Sequence, residues 1–331
     1  MVDKIVPNDS RVQYKTANLN GHTYNYILSE PKGTKPLNTI FLIHGFPDMS
    51  FGWRYQIPHL TSLGLRVVVP DMIGYGDTDA PEDPKEYTCK KTCDDLAALA
   101  SHIGVSSIIL GGHDWGGAVV YRMAMYYPKL LSAVFSVCTP FMPPQKKFMH
   151  MSEMPNFKYQ IQLRGPGVVK KIVGEEKIRQ FLAGIYGARS KDGKPTFTVE
   201  VGCLFDRLDG VGSSPLVSDE ELDFYVSKFK RNGMRGPTNW YRTGELNYED
   251  EKEIALSGKE IKFQMPFLFI SATNDVALPP SLSREMERSF RSLTKGQVEA
   301  THWALWEKPE EINQYLEEFL VGQIGARRAS L

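Results

Sequence analysis

From Ile108 to Arg122 the chain reads Ile-Ile-Leu-Gly-Gly-His-Asp-Trp-Gly-Gly-Ala-Val-Val-Tyr-Arg, an apolar strand, a glycine-dense turn and a helical run. Gly112 stands two residues before Asp114, and Gly116 and Gly117 stand two and three after it. A strand that turns this sharply into a helix forces the central residue into a strained backbone and brings helix and strand too close for larger side chains. The central side chain is then presented outward as a nucleophile. Few folds accommodate such a turn.

Serine is the usual nucleophile at this position, and here it is aspartate. A carboxylate is ionised near neutral pH and needs no base to activate it, whereas a hydroxyl does. Attack on an ester carbonyl would give a mixed anhydride, but attack on a saturated carbon gives an ordinary alkyl ester. The substitution therefore favours substrates with an electrophilic sp³ carbon, whose leaving group is an alkoxide, as in an epoxide, or a halide. The plain alternative is that Asp114 only caps the following helix, a position aspartate favours. The glycines do not fit a dinucleotide fingerprint, and Gly74-Tyr75-Gly76 lacks the third glycine.

Nearly all-apolar strand candidates, Thr39 to Ile43, Arg66 to Val69, Ser107 to Leu110, Ala133 to Val137, Pro266 to Ser271 and Gly296 to Ala300, alternate with helical stretches such as Lys90 to Ile103, Ala118 to Tyr127 and Pro309 to Leu320. That rhythm predicts a mostly parallel sheet buried on both faces by helices. Residues 141–262 interrupt it with helical segments, rich in Met, Tyr, Lys and Arg and without a buried-strand run. They read as a helical insertion, or cap, of about 120 residues between core segments 1–140 and 263–331. The remainder of the 331 residues is one α/β core of ordinary size.

In such an architecture the chain order is nucleophile, acid, histidine. Of the seven histidines only His302 follows the insertion, in Val298-Glu-Ala-Thr-His302-Trp303 after the last strand candidate. The acid is expected where Pro266 to Ser271 ends, and Asp275 stands there; Cys138-Thr139-Pro140-Phe141, after the preceding strand, has no carboxylate. Cleavage of an ester also needs an oxyanion hole. The backbone N–H groups of Trp115 and of Phe46, in His44-Gly45-Phe46-Pro47, are the candidates, with Phe46-Pro47 a candidate cis peptide. His44 and His113 flank these loops and are expected to bond to backbone.

His44-Gly45-Phe46-Pro47, Asp71-x-x-Gly-Tyr-Gly-Asp-Thr-Asp79, Gly112-His-Asp-Trp-Gly-Gly117, Asp275 and His302 together resemble the soluble-type epoxide hydrolases of the α/β-hydrolase fold. The resemblance runs from about Asn18 to Leu320. It implies a mostly parallel eight-stranded sheet with a helical cap, a small lipophilic epoxide and water as reactants, and no cofactor. The phosphatase domain of the two-domain animal members is expected to be missing, since only about forty residues precede the first motif. The family's two lid tyrosines, which hydrogen-bond the epoxide oxygen and supply its proton, map onto Tyr159 and Tyr241. Haloalkane dehalogenases also place tryptophan after an aspartate nucleophile, but many carry a halide-binding asparagine where Phe46 stands. A haloalkane or haloacid dehalogenase is the rival reading, and a non-catalytic hydrolase-fold ligand-binding protein the remote one. Phe46, Trp115, Phe141, Trp240, Leu278 and Trp303 are expected to wall an apolar pocket, with Gln160 orienting substrate or water.

With 39 basic and 39 acidic residues the chain has no net charge, so nothing favours nucleic acid or an anionic membrane, and a neutral lipophilic substrate needs no steering. Its longest apolar runs are about five residues, too short to span a bilayer. Four cysteines without a nearby histidine pattern suggest structural thiols and no metal. The charged start lacks a secretory pattern, which points to the cytoplasm. Ala329-Ser330-Leu331 only loosely resembles a peroxisomal ending, lacking its basic residue.

Overall fold

The structure, a computed structural model, describes residues 2–324. The Ala329-Ser330-Leu331 ending lies outside the described residues. The described residues fall into two compact units, one built from residues 2–72, 89–143 and 257–324, the other from 73–88 and 144–256.

The first unit is built on a sheet of eight strands: β1 (Gln13–Leu19), β2 (His22–Ser29), β3 (Asn38–Ile43), β4 (Leu65–Pro70), β5 (Ile108–His113), β6 (Leu131–Val137), β9 (Phe267–Ala272) and β10 (Leu293–Val298). The order is β1-β2-β4-β3-β5-β6-β9-β10. From β4 to β10 every neighbour is parallel, and β2 pairs antiparallel with both β1 and β4. All residues of β5 and β9 are buried, which is why their sequences are apolar without alternation. Helices α1 (Gln56–Ser62), α2 (Cys89–His102) and α3 (Trp115–Tyr126) fall between these strands. The β3-to-β4 crossover through α1 runs toward β1, whereas the β5-to-β6 crossover through α3 runs toward β10. Right-handed crossovers in opposite directions put these helices on opposite faces. The order therefore reverses between β3 and β5, and the loops after these two strands meet at that switch point, where open α/β sheets hold their sites.

Two parts of this sheet depart from the sequence expectation. The β1–β2 hairpin was not foreseen because five of the seven β1 residues are exposed, so its burial signal is weak. Its turn is Asn20-Gly21, both at positive φ (50° and 96°), the pair a two-residue hairpin favours. The last strand lies at Leu293–Val298, a few residues before the expected Gly296 to Ala300. As an edge strand it is only half covered, and the chain has already turned away where Ala300 N–H bonds Val298 O at 3.1 Å.

The second unit is mainly helical: α4 (Tyr159–Arg164), α5 (Gly167–Lys171), α6 (Gly174–Ile185), α7 (Asp219–Asn232), α8 (Arg235–Asn239) and α9 (Gly244–Leu256), with a small hairpin of β7 (Phe197–Thr198) and β8 (Gly202–Cys203). Residues 73–88 join it because the Trp240 indole N–H bonds Ile73 O at 3.0 Å while Tyr75 and Tyr87 pack on the same ring. Back in the first unit, α10 (Ala304–Glu307) and α11 (Pro309–Ile324) are the last elements among the described residues. Among the described residues no helix is long and apolar enough to cross a membrane.

Candidate active site

Asp114 sits between β5 and α3 with φ 55° and ψ −122°, a conformation that only strong surrounding constraints hold in a non-glycine residue. Its side chain makes no helix-capping hydrogen bond, which removes the N-cap reading. The constraints are visible. Its carbonyl accepts from Thr139 Oγ1 at 2.7 Å and from Ala118 N–H at 3.1 Å. A Cβ on Gly116 would fall 2.8 Å from the His44 carbonyl oxygen and closer still to that of Ile43. Gly116→Ala is therefore expected to force α3 away from β3, lowering stability by about 1–3 kcal/mol and disturbing Asp114. A urea midpoint equal to that of the unaltered protein would contradict this.

The carboxylate is held from two sides. Phe46 N–H donates to Oδ1 at 2.7 Å, and the Phe46-Pro47 peptide is cis. His302 Nε2 stands 3.4 Å from Oδ2. Behind the imidazole, His302 Nδ1 donates to Asp275 Oδ2 at 2.7 Å. Asp275 Oδ1 accepts from the N–H groups of Ala277 and Leu278, each at 2.9 Å. Three residues distant in sequence thus form one line, with side-chain exposure of 12% at Asp114, 19% at His302 and none at Asp275.

This burial would neutralise isolated charges, and mutual attraction reverses the outcome. Burial opposes ionisation of Asp114, yet the His302 hydrogen bond and charge and the Phe46 N–H hold its carboxyl below the usual range. Asp275 is likewise lowered against burial by His302 and by its two backbone donors. Burial works against the His302 cation, but Asp275 and Asp114 together raise its pKa well above the ordinary value. These directions all favour an imidazolium between two carboxylates.

Two further histidines serve the backbone. His113 Nε2 donates to the His302 carbonyl at 2.8 Å, fixing the loop that carries the imidazole. Burial and the neighbouring His302 charge push the His113 pKa down to about 4, so it stays neutral. His44, lowered to about 4 chiefly by burial, donates from Nδ1 to Gly45 O at 3.0 Å and accepts Met72 N–H at Nε2 at 2.9 Å. It braces the loop that carries Phe46. The support from Thr139 was not foreseen; its only sequence signal is its place just after β6.

The remaining candidates are distributed as follows. Trp115, half-buried, opens α3. Trp303 stacks on Trp306 at 4.4 Å and sits edge-on to His302 at 5.6 Å. Leu278 is buried beside Asp275, whose carboxylate its N–H meets. Phe141 lies in an aromatic cluster with Phe263, Tyr121 and Phe290, at 5.0, 5.4 and 6.1 Å. In the second unit Tyr159 and Tyr241 are both buried, their rings 6.1 Å apart at 75°. Gln160 Nε2 lies 3.4 Å from the Tyr159 hydroxyl. Trp240 is buried in the contacts to Ile73, Tyr75 and Tyr87 already described.

Residues 38–182 match the family model of the alpha/beta hydrolase fold. The chain is 40% identical to the epoxide hydrolase srdG of Neurospora crassa, over 96% of this chain and 98% of that one. It is 36% identical to the bifunctional epoxide hydrolase 2 of Sus scrofa over 90% of its own length, spanning 55% of that longer protein. Among solved structures, epoxide hydrolase A from Mycobacterium thermoresistibile superposes with a TM-score of 0.78 at 27% identity, covering 94% of this chain and 98% of that one.

Proposed function

The chain belongs to the epoxide hydrolases of the α/β-hydrolase fold, and from that premise we propose that it converts epoxides to vicinal diols through an ester formed on Asp114. The observation that carries this reading is the line Phe46 N–H, Asp114, His302, Asp275. An ionised carboxylate stands at the tip of a strained turn, with a backbone donor on one oxygen and an imidazole at the other.

In the first step Asp114 attacks an epoxide carbon, the carbon–oxygen bond of the ring breaks, and the oxygen takes a proton. Oδ1 is engaged by Phe46 N–H at 2.7 Å, whereas Oδ2 faces His302 at the longer 3.4 Å, so Oδ2, the less tightly held oxygen, is assigned the attack. Tyr159 and Tyr241 are assigned the epoxide oxygen, since an alkoxide needs a donor and a phenol, with pKa about 10, is suited to one. Each tyrosine-to-phenylalanine change is expected to slow ring opening by about 10²-fold, within the range of a single general acid. Stopped-flow measurement of alkylation checks this, and an unchanged rate would remove the residue from the step.

In the second step water attacks the carbonyl carbon of the Asp114 ester. Phe46 and Trp115 N–H groups receive the oxyanion, and His302, once it has lost its proton to solvent, takes one from water; collapse returns that proton to the departing diol oxygen, and the acid left on Asp114 ionises, its proton restoring the phenol. Esterification also prepares the base. It deletes one of the two negative charges that raise the His302 pKa, so the imidazole sheds its proton more readily in the intermediate. Ester hydrolysis is therefore expected to rise with pH and level off once His302 is neutral. Ring opening, which needs ionised Asp114, is expected to persist into acid because that carboxyl is held low. A hydrolysis rate that falls as pH rises through neutrality would exclude His302 as the base.

A single turnover in oxygen-18 water tests the route as a whole. The ester path leaves the label on Asp114 and an unlabelled first diol, whereas direct attack by water labels the diol at once.

A further inference from the structure

Tyr159 and Tyr241 come from separate elements, the first residue of α4 and the one-turn helix Trp240–Arg242, so something must set their spacing. Arg242 bridges the two elements. Its Nε donates to Arg164 O at 2.8 Å and Nη2 to Gly165 O at 3.3 Å, at the end of the helix that Tyr159 begins. Its Nη1 donates to Asn239 Oδ1 at 2.5 Å. The amide of Asn239 is oriented in turn, because its nitrogen donates to Pro81 O at 3.3 Å and Glu82 O at 3.1 Å.

The chemistry suits the geometry. Carbonyls in the last turn of a helix lack intrahelical donors and carry its negative end, so a cation that donates to them is favoured. Three donors aimed from one planar group at three fixed acceptors make a rigid joint, which a flexible ammonium does not reproduce. At about 1.5 Å per residue α4 is a lever under 10 Å long, and a shift at its end carries to its start. There Tyr159 N–H bonds Val199 O at 2.9 Å and the ring meets Phe197 at 5.7 Å, completing the frame.

We propose that Arg242 is a positioning residue: by clamping the end of α4 to the turn that carries Tyr241, it sets the distance and angle between the two phenols. The inference rests on the assignment of those phenols to the epoxide oxygen. It predicts an effect confined to ring opening, since ester hydrolysis does not use the tyrosine pair.

The test is a double-mutant cycle on the rate of alkyl-enzyme formation, measured by intact-protein mass spectrometry in a His302→Gln background. Arg242→Met is expected to slow alkylation by about 10- to 100-fold, the scale of a displacement near 1 Å, and Arg242→Lys by less. In a Tyr159→Phe background Arg242→Met is expected to add no more than about twofold, because its target is already gone. Ester hydrolysis, followed in single turnovers of enzyme with His302 intact, is expected to stay within about twofold. Full additivity, or equal slowing of both steps, would overturn the inference. Should Arg242→Met fail to fold, Arg242→Lys carries the same cycle. Slow alkylation by Tyr159→Phe with normal alkylation by Arg242→Met overturns this inference alone. Normal alkylation by both tyrosine variants overturns the donor assignment and this inference with it.

Discussion

Replacing His302 by glutamine is expected to convert the enzyme into a stoichiometric trap, with epoxide consumed once and the chain left heavier by one substrate. Asp114 is ionised without help, so ring opening survives. The ester persists because an amide cannot take a proton from water, and steady turnover is expected to fall by about 10³-fold or more. The fold should tolerate the change. Asp275 keeps its two backbone donors at 2.9 Å, so its buried carboxylate is not stranded when the imidazole goes. Intact-mass spectrometry after brief exposure to a styrene-oxide-like epoxide reads the result directly. Diol release near the normal rate, with no mass increase, would overturn the assignment of His302.

Removing the nucleophile is expected to have the opposite chemical signature with at least as large a loss. Asp114→Ala should form no covalent species and lose about 10⁴-fold or more in turnover, since oxyanion donors and binding alone leave little catalysis. It should also lower the pKa of His302, because one of the two carboxylates raising it has gone. Imidazole chemical shifts against pH would show this. Asp114→Gly is expected to be as inactive yet no less stable than Asp114→Ala, because glycine adopts φ 55° without strain. Substantial activity in either variant would end the ester mechanism.

Local chemistry was legible in the sequence wherever geometry forces a residue type. The glycines around Asp114 mark a close approach of helix to strand, and the apolar runs at β3, β4, β5, β6 and β9 mark strands covered on both faces. Asp275 and His302 follow from chain order, and the structure places them 2.7 Å apart. Edge elements were harder to read. β1 is largely exposed and β10 is half covered, so burial leaves little imprint on their sequences, although Asn20-Gly21 offered a turn signal for the first. The adherence of residues 73–88 to the helical unit depends on contacts distant in the chain, those of Trp240 with Ile73 and of Asn239 with Pro81 and Glu82 among them, which no local pattern encodes.

The amino-acid sequence by itself therefore determined the class of sheet and singled out Asp114 as the candidate nucleophile with its partners in chain order, because strained turns and doubly buried strands admit few residue types. Tertiary structure alone decided the state of the site. The charges of Asp114, His302 and Asp275 depend on distances of about 3 Å between segments far apart in the chain, where burial and attraction oppose each other. It also decided the support: Thr139 beneath Asp114, His113 behind His302, and Arg242 spanning the elements that bear the two tyrosines. Such bonds end on backbone carbonyls, which every residue carries, so sequence alone names no partner for them, even for His113, which it marks as bonding to backbone.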